Sequence, residues 1–386
     1  MIRIDEIYDG VFLPRAMKHT HNGDQYNSNY QVGLHWFQPF GTTEFENIIS
    51  QPSVIWRHPP IENIKNWTER QHKINESYPK GCTRVIFWDQ EPVHRYTFNS
   101  FIEPFLKQYE SDNLRIVTSE YNSEDVEWAC DTYGLKSDYY FFHGWAALDW
   151  YRGYNRTSIA QKFSERKPYN TFLCPNNIIG GERKHRIEML QQFVGRNLLD
   201  RNLISFPDVC PYEGSSLKLL CIKYDLDCPN VKLPLMIDNG SGYAAKSHQI
   251  DLWDQANNSL IHVVTETVYL GNKNHLTEKS FKPMVMQQPF IIQSCKGSLE
   301  YLRRYGFKTF GEFWDESYDE ADDTVRTYEI GKLLENINTM SQKEKTQLQT
   351  AVNTTVEHNY NWFYSAEFEQ LLWKELDEMM NKWKTQ

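Results

Sequence analysis

Short apolar runs alternate along this chain with stretches whose apolar residues recur every three to four positions. Compact runs rich in Val, Ile, Phe and Trp predict strands, whereas the 3.6-residue recurrence predicts helices. In the first half, 53–56, 84–88, 114–119 and 139–142 read as strands, and 100–109 and 123–133 as helices. Breaks such as Tyr121-Asn122-Ser123 separate them. A charged stretch over 153–168, opened by Gly153 and closed by Pro168, marks a boundary. Beyond it, 171–174 reads as a strand, 182–194 as a helix and 260–265 as a buried strand. A helix over 278–287, a strand over 289–293 and a helix over 298–305 follow. From Thr324 to Gln386 the period is helical, with Ser341 placed to cap one segment. Strand–helix alternation predicts an α/β chain with two halves, 1–160 and 161–335, and a helical tail over 336–386.

A length of 386 residues favours two domains over three at about 150 residues each. Hydrophobic residues make up 40%, enough for a substantial core, which excludes disorder as the main state. Lys and Arg number 41 against 51 Asp and Glu, so the net charge is 41 − 51 = −10. That excludes a global basic field; nucleic acid or an anionic membrane would need a local patch. No apolar run approaches 18 residues, so no membrane insertion is expected. Acids near the start, Asp5 and Glu6, replace the basic and apolar regions of a secretion signal, so the expected location is cytoplasmic. Seven scattered cysteines with no CxxC pair indicate neither a disulfide framework nor a zinc ribbon.

Open parallel sheets bind ligands beyond the carboxyl ends of their strands, and three residue groups fall at such positions. Trp88-Asp89-Gln90-Glu91-Pro92 follows the strand at 84–88. Pro92 restricts Glu91 to an extended backbone, and Glu91 or Asp89 could serve as general base for an acceptor hydroxyl. A loop in which Asp89 caps the next segment is the plainer reading. Next, Arg183-Lys184-His185-Arg186 opens a helix behind the Gly180-Gly181 loop and Asn176-Asn177. Cations in a first helical turn oppose the helix dipole, so their presence favours an anionic ligand over a solvated charged face. Finally, Thr265-Glu266 ends the buried strand, and Thr277-Glu278-Lys279-Ser280-Phe281-Lys282-Pro283 opens the following helix. A carboxylate for ribose hydroxyls with lysines for phosphates suits a nucleoside diphosphate; a capping acid with a surface Lys pair is the alternative.

Other signals are weaker. GxGxxG, GxxxxGK[ST], HExxH and GxSxG do not occur. Asp225-Leu226-Asp227 has the form of a metal-binding DxD, but Cys228-Pro229 beside it reads as a turn. Trp362, Trp373 and Trp383 recur at roughly helical intervals and read as packing residues.

The block Thr277–Pro283 followed by Gln288-Pro289-Phe290-Ile291-Ile292 resembles the donor-site signature of GT-B glycosyltransferases, of the kind found in α1,3-fucosyltransferases and exostosin-like enzymes. Asn176-Asn177 with Arg183–Arg186 is similar to their second-domain opening block, and residues 201–206 to its continuation. The stretch over 296–319 resembles a group of such proteins common in large tailed phages. Coverage is good over about 168–330 and thin in the first half. The link from Asn177 to Arg183 is longer than the family pattern, which leaves open which Arg meets the diphosphate.

The resemblance implies two Rossmann-like domains facing a cleft, with the final helix packing back on the first. It implies inverting transfer from a nucleotide-diphosphate sugar to a hydroxyl, with Glu91 or Asp89 as base. Asn177, Arg183, Arg186, Glu266, Thr277, Glu278, Lys279 and Lys282 would bind the donor, and Trp88 and His94 the acceptor. The cations would stabilise the leaving diphosphate, with no metal and no cofactor beyond the donor. A phage-encoded chain would act in the host cytoplasm, and a hydroxymethylated base in phage DNA is one candidate acceptor. A surface saccharide or a protein is the alternative acceptor, and a non-catalytic nucleotide-sugar-binding module the alternative class. A plain DNA-binding protein would need a basic stripe that the sequence lacks.

Overall fold

A computed structural model describes residues 53–57, 83–88, 92–96, 98–99, 103, 114–151, 154, 161–237 and 250–384. The chain divides into two compact units, Met1–Gly153 with Glu369–Gln386, and Tyr154–Phe368. Within the described residues it is a mixed α/β protein whose two parallel sheets are compatible with Rossmann-like folds. No helix among the described residues is long and apolar enough to cross a membrane.

In the first unit, β1 (Ser53–Arg57), β2 (Thr83–Trp88), β3 (Leu114–Thr118) and β4 (Lys136–Tyr139) lie parallel in the order β1-β2-β3-β4. Helix α1 (Glu124–Tyr133) connects β3 to β4. Ser123 caps it by accepting the Val126 N–H, three acids in its first turn suit the dipole, and Gly134 closes it in the left-handed region. Its Val126 and Ala129 pack on a core of Trp88, Val93, Phe98, Leu114 and Ile116. The expected strand over 139–142 is corrected. Tyr139 ends β4, and Phe142 opens a helix, α2 (Phe142–Tyr151). That helix buries Phe142, Trp145, Ala146, Ala147, Leu148 and Tyr151. A helix covered on nearly every side has no polar face to reveal its period, so its first turn reads as a strand. The helix expected over 100–109 falls outside the described residues apart from Glu103.

The second unit opens with β5 (Asn170–Pro175), α3 (Lys184–Gly195), β6 (Leu203–Ser205) and α4 (Leu217–Tyr224). It continues through α5 (Trp253–Asn257), β7 (Ser259–Thr265), α6 (Glu278–Val285), β8 (Phe290–Gln293) and α7 (Ser298–Arg304). Its strands run parallel in the order β6-β5-β7-β8. The chain leaves β5 for one side and returns on the other, so a topological switch point lies between β5 and β7. Such a point opens a crevice at the strands' carboxyl ends.

Three helices complete the described chain, α8 (Asp323–Asn338), α9 (Gln342–Phe363) and α10 (Ala366–Lys384). Ser341 and Glu344 form a reciprocal capping box at the start of α9. Trp362 packs as expected: its indole N–H donates to the Tyr305 carbonyl at 2.6 Å, and His358 stacks on its ring. Gly306 has φ +84, and a Cβ there would run into that ring. Gly306→Ala is therefore expected to cost about 2–4 kcal/mol through left-handed strain and overpacking. Thermal unfolding followed by circular dichroism checks this; an unchanged midpoint would mean the ring swings aside without penalty.

Candidate functional site

The carboxyl ends of β5 and β7 set the crevice. Asn176 follows β5 and accepts the Thr265 hydroxyl at 2.6 Å, which locks the two strand ends together. The chain then runs through Asn177, half-buried, to the Gly180-Gly181 loop and into α3.

Arg186, buried in the first turn of α3, draws both loops of the crevice inward. It donates to the carbonyls of Ile178 at 2.7 Å, Thr265 at 2.9 Å and Glu266 at 3.1 Å. Burial, with Arg183 nearby, pulls its guanidinium down to about 10. Arg186 thus holds backbone with both terminal nitrogens, which makes it a positioning residue for the expected diphosphate pocket. His185 beside it donates through Nε2 to the Glu266 carbonyl at 2.9 Å and stacks on Tyr269. Burial first, and then Arg186, hold it well below the usual histidine range, so it is neutral.

Glu266 has no exposed surface and takes four donors. Its carboxylate accepts the N–H groups of Thr267 at 3.1 Å and Thr277 at 3.0 Å, and the hydroxyls of Thr277 at 2.7 Å and Ser280 at 2.6 Å. The expected ribose contact is therefore corrected. The carboxylate's lone pairs are committed to the start of α6, and it acts as an internal cap. Thr277 is the N-cap itself, its hydroxyl receiving the Lys279 N–H. Phe281, packed among Phe307, Phe363 and Phe368, anchors the same helix on its other side.

The two helix starts at the crevice thus differ. That of α6 is satisfied by Thr277 and Glu266. That of α3 has Arg183 at the N-cap position and no side-chain cap. Its first amides, with half-buried Arg183 beside them, leave the helix dipole to be met from outside, while the Gly180 and Gly181 N–H groups turn to Cys210 Sγ and the Glu213 carboxylate. Arg183 itself spends one guanidinium nitrogen on the Gly180 carbonyl at 3.3 Å.

Lys279 stands across the switch point on α6, with about a third of its side chain exposed. Its Nζ contacts Thr267 Oγ1 at 3.2 Å, Thr277 Oγ1 at 3.1 Å and Glu278 Oε1 at 3.0 Å. Glu278 is buried. Burial draws Lys282 down to about 8, with Glu278 opposing the shift.

In the first unit the candidate bases Glu91 and Asp89 lie outside the described residues. Trp88 is corrected from acceptor platform to core: it is 1% exposed, its indole N–H points to the Pro92 carbonyl and its ring packs on Phe98. His94 is half-buried where the chain begins a helical turn, its carbonyl accepting the Phe98 N–H. Sequence reading missed Glu120. It lies two residues beyond β3, is buried, and accepts the Val93 N–H at 2.6 Å and the Ser123 hydroxyl. It thereby fixes the chain just after Glu91. Its signal was a carboxylate three residues before the N-cap of α1.

Asp225 is the left-handed cap closing α4, and the Asp227 carbonyl accepts from Gln191. Among the described residues no group of three or more His, Cys, Asp or Glu side chains could hold a metal ion. No protein-family model and no curated protein matches the chain.

Proposed function

We propose that this chain is a GT-B glycosyltransferase that moves a sugar from a nucleotide-diphosphate donor to an acceptor hydroxyl. One observation carries the reading: an uncapped helix start flanked by a glycine loop and Arg183, at the switch point of a parallel sheet, with Lys279 across it. That arrangement suits a diphosphate, which would accept the α3 amides while Arg183 and Lys279 offset its charge. Developing charge on the leaving diphosphate would be stabilised by the same groups. The resemblance of residues 277–292 to a glycosyltransferase donor block supports a sugar nucleotide over a plain dinucleotide. Candidate acceptors remain a hydroxymethylated base in phage DNA, a saccharide or a protein; the net charge of −10 favours the last two.

A thermal-shift series against nucleotide sugars tests the reading. One donor is expected to raise the melting midpoint, and a flat response to all of them would count against it. Arg183→Ala and Lys279→Ala are each expected to weaken donor binding about 10–100-fold, the loss of one charged hydrogen bond, with the fold intact. Calorimetry showing wild-type affinity in both variants would overturn the assignment.

A further inference from the structure

The amino ends of the second sheet carry a pair of cations that take no part in the crevice. Asn170 opens β5, Ser259 and Leu260 open β7, and Arg201 stands two residues before β6. These starts lie at the edge opposite the strand ends that hold Asn176 and Thr265. A cavity of about 10 Å³ opens there, and its lining includes Tyr169, Thr171, Leu260 and, from α9, Lys345. It has the room that one oxygen-sized group needs.

The Lys345 ammonium donates to Thr171 Oγ1 and to the Asn338 carbonyl, each at 2.9 Å. That leaves the third of its protons to a ligand. Arg201 is tied to the same strand start. The Thr171 N–H donates to its carbonyl at 3.2 Å, and its guanidinium lies 5.8 Å from the centre of the Tyr169 ring. Arg201 has φ +56, a left-handed conformation that strains an arginine and that Gly or Asn occupies more readily. Neither cation forms an ion pair among the described residues, although the chain has 51 acids against 41 bases. Burial, and then the like charge of Arg201, hold the Lys345 ammonium below the usual lysine range. Tyr169 beside them is 70% exposed.

We propose that Lys345, Arg201 and Tyr169 form a second ligand site, separate from the crevice, for a phosphate monoester of the nucleoside monophosphate class. A phosphate monoester carries about 1.5–2 negative charges at neutral pH, which matches two unpaired cations; a carboxylate would offset only one. One phosphate oxygen enters the cavity and accepts the remaining Lys345 proton, and the Arg201 fork takes the outer oxygens. The exposed Tyr169 ring gives the base a face to stack on, with the guanidinium adding to the stack.

Calorimetric titration of the full chain with adenosine 5′-monophosphate and with inorganic phosphate tests this. It is run in an Arg183→Ala, Lys279→Ala background, which disables the crevice. Both probes are expected to bind that background. Adding Arg201→Ala, at an exposed position, is expected to weaken both about 10–100-fold, the loss of one charged hydrogen bond. Adding Tyr169→Ala instead is expected to weaken the nucleotide at least about fivefold and to leave inorganic phosphate unchanged. No binding of either probe to the background, or equal affinity with and without Arg201→Ala, would overturn the site. Equal weakening of both probes by Tyr169→Ala would overturn the stacked base and with it the nucleotide class. The crevice is disabled throughout, so failure here is separable from failure of the transferase reading.

Discussion

Glu266→Ala is expected to lower the stability of the second unit by about 3–4 kcal/mol, the largest stability effect available in the candidate site. The substitution strands two backbone N–H groups, of Thr267 and Thr277, and two hydroxyls, of Thr277 and Ser280, at a point with no exposed surface. A buried donor left without its charged acceptor costs more than the hydrogen bond contributed. For a unit of this size the melting midpoint should fall by roughly 6–16 °C. Glu266→Gln keeps one oxygen acceptor but turns an NH2 group toward donors, so it should fall between. The rival outcome is an unchanged midpoint with sharply weaker donor binding. That would make the carboxylate a ligand group and overturn its assignment as an internal cap.

The placement of Glu266 was legible in the sequence, because an acid closing a continuous apolar strand stands out. Its direction was not. A strand end tells where a side chain begins; only the packing of α6 decides whether the carboxylate turns to a ligand or back to Thr277 and Ser280. Arg183 and Arg186 pose the same problem. They differ by three positions, yet the first sits at the open N-cap and the second is buried beneath the loop. The strand–helix alternation itself was readable at most elements, the wholly buried β7 and β8 included. It failed at α2, which has almost no exposed face, and α4 went unread although Ser216 caps it.

A relation invisible in the sequence links the two sheets. In each unit a buried glutamate just beyond a strand takes a backbone N–H from a loop and the hydroxyl of the next helix's N-cap residue. Glu120 does so with Val93 and Ser123, and Glu266 with Thr277. The partners lie 27 and 11 residues away in their backbone contacts, so no local pattern announces them. Such carboxylates hold a loop at the carboxyl edge of a parallel sheet, which is where ligands are taken up. In the first unit the held loop is the one that follows Glu91.

Glu91→Gln is expected to lower kcat about 10²–10⁴-fold while leaving donor affinity near the wild-type value, as removal of a general base does. The strand β2 ends at Trp88, whose ring is fixed in the core, and the backbone is fixed again at Val93 by Glu120. Four residues, Asp89, Gln90, Glu91 and Pro92, separate these anchors in the sequence, directly after β2. Pro92 disfavours helical backbone at Glu91. Asp89 is the rival, two positions away and so on the same side of an extended chain. The variants Glu91→Gln and Asp89→Asn, assayed side by side with donor binding measured separately, distinguish them. Loss of kcat in Asp89→Asn alone would transfer the role to Asp89. Retention in both would move the base elsewhere in the first unit. Glu120→Gln supplies the control for position: it should lower kcat more modestly and lower the melting midpoint with it, because it loosens the anchor rather than removing the proton acceptor.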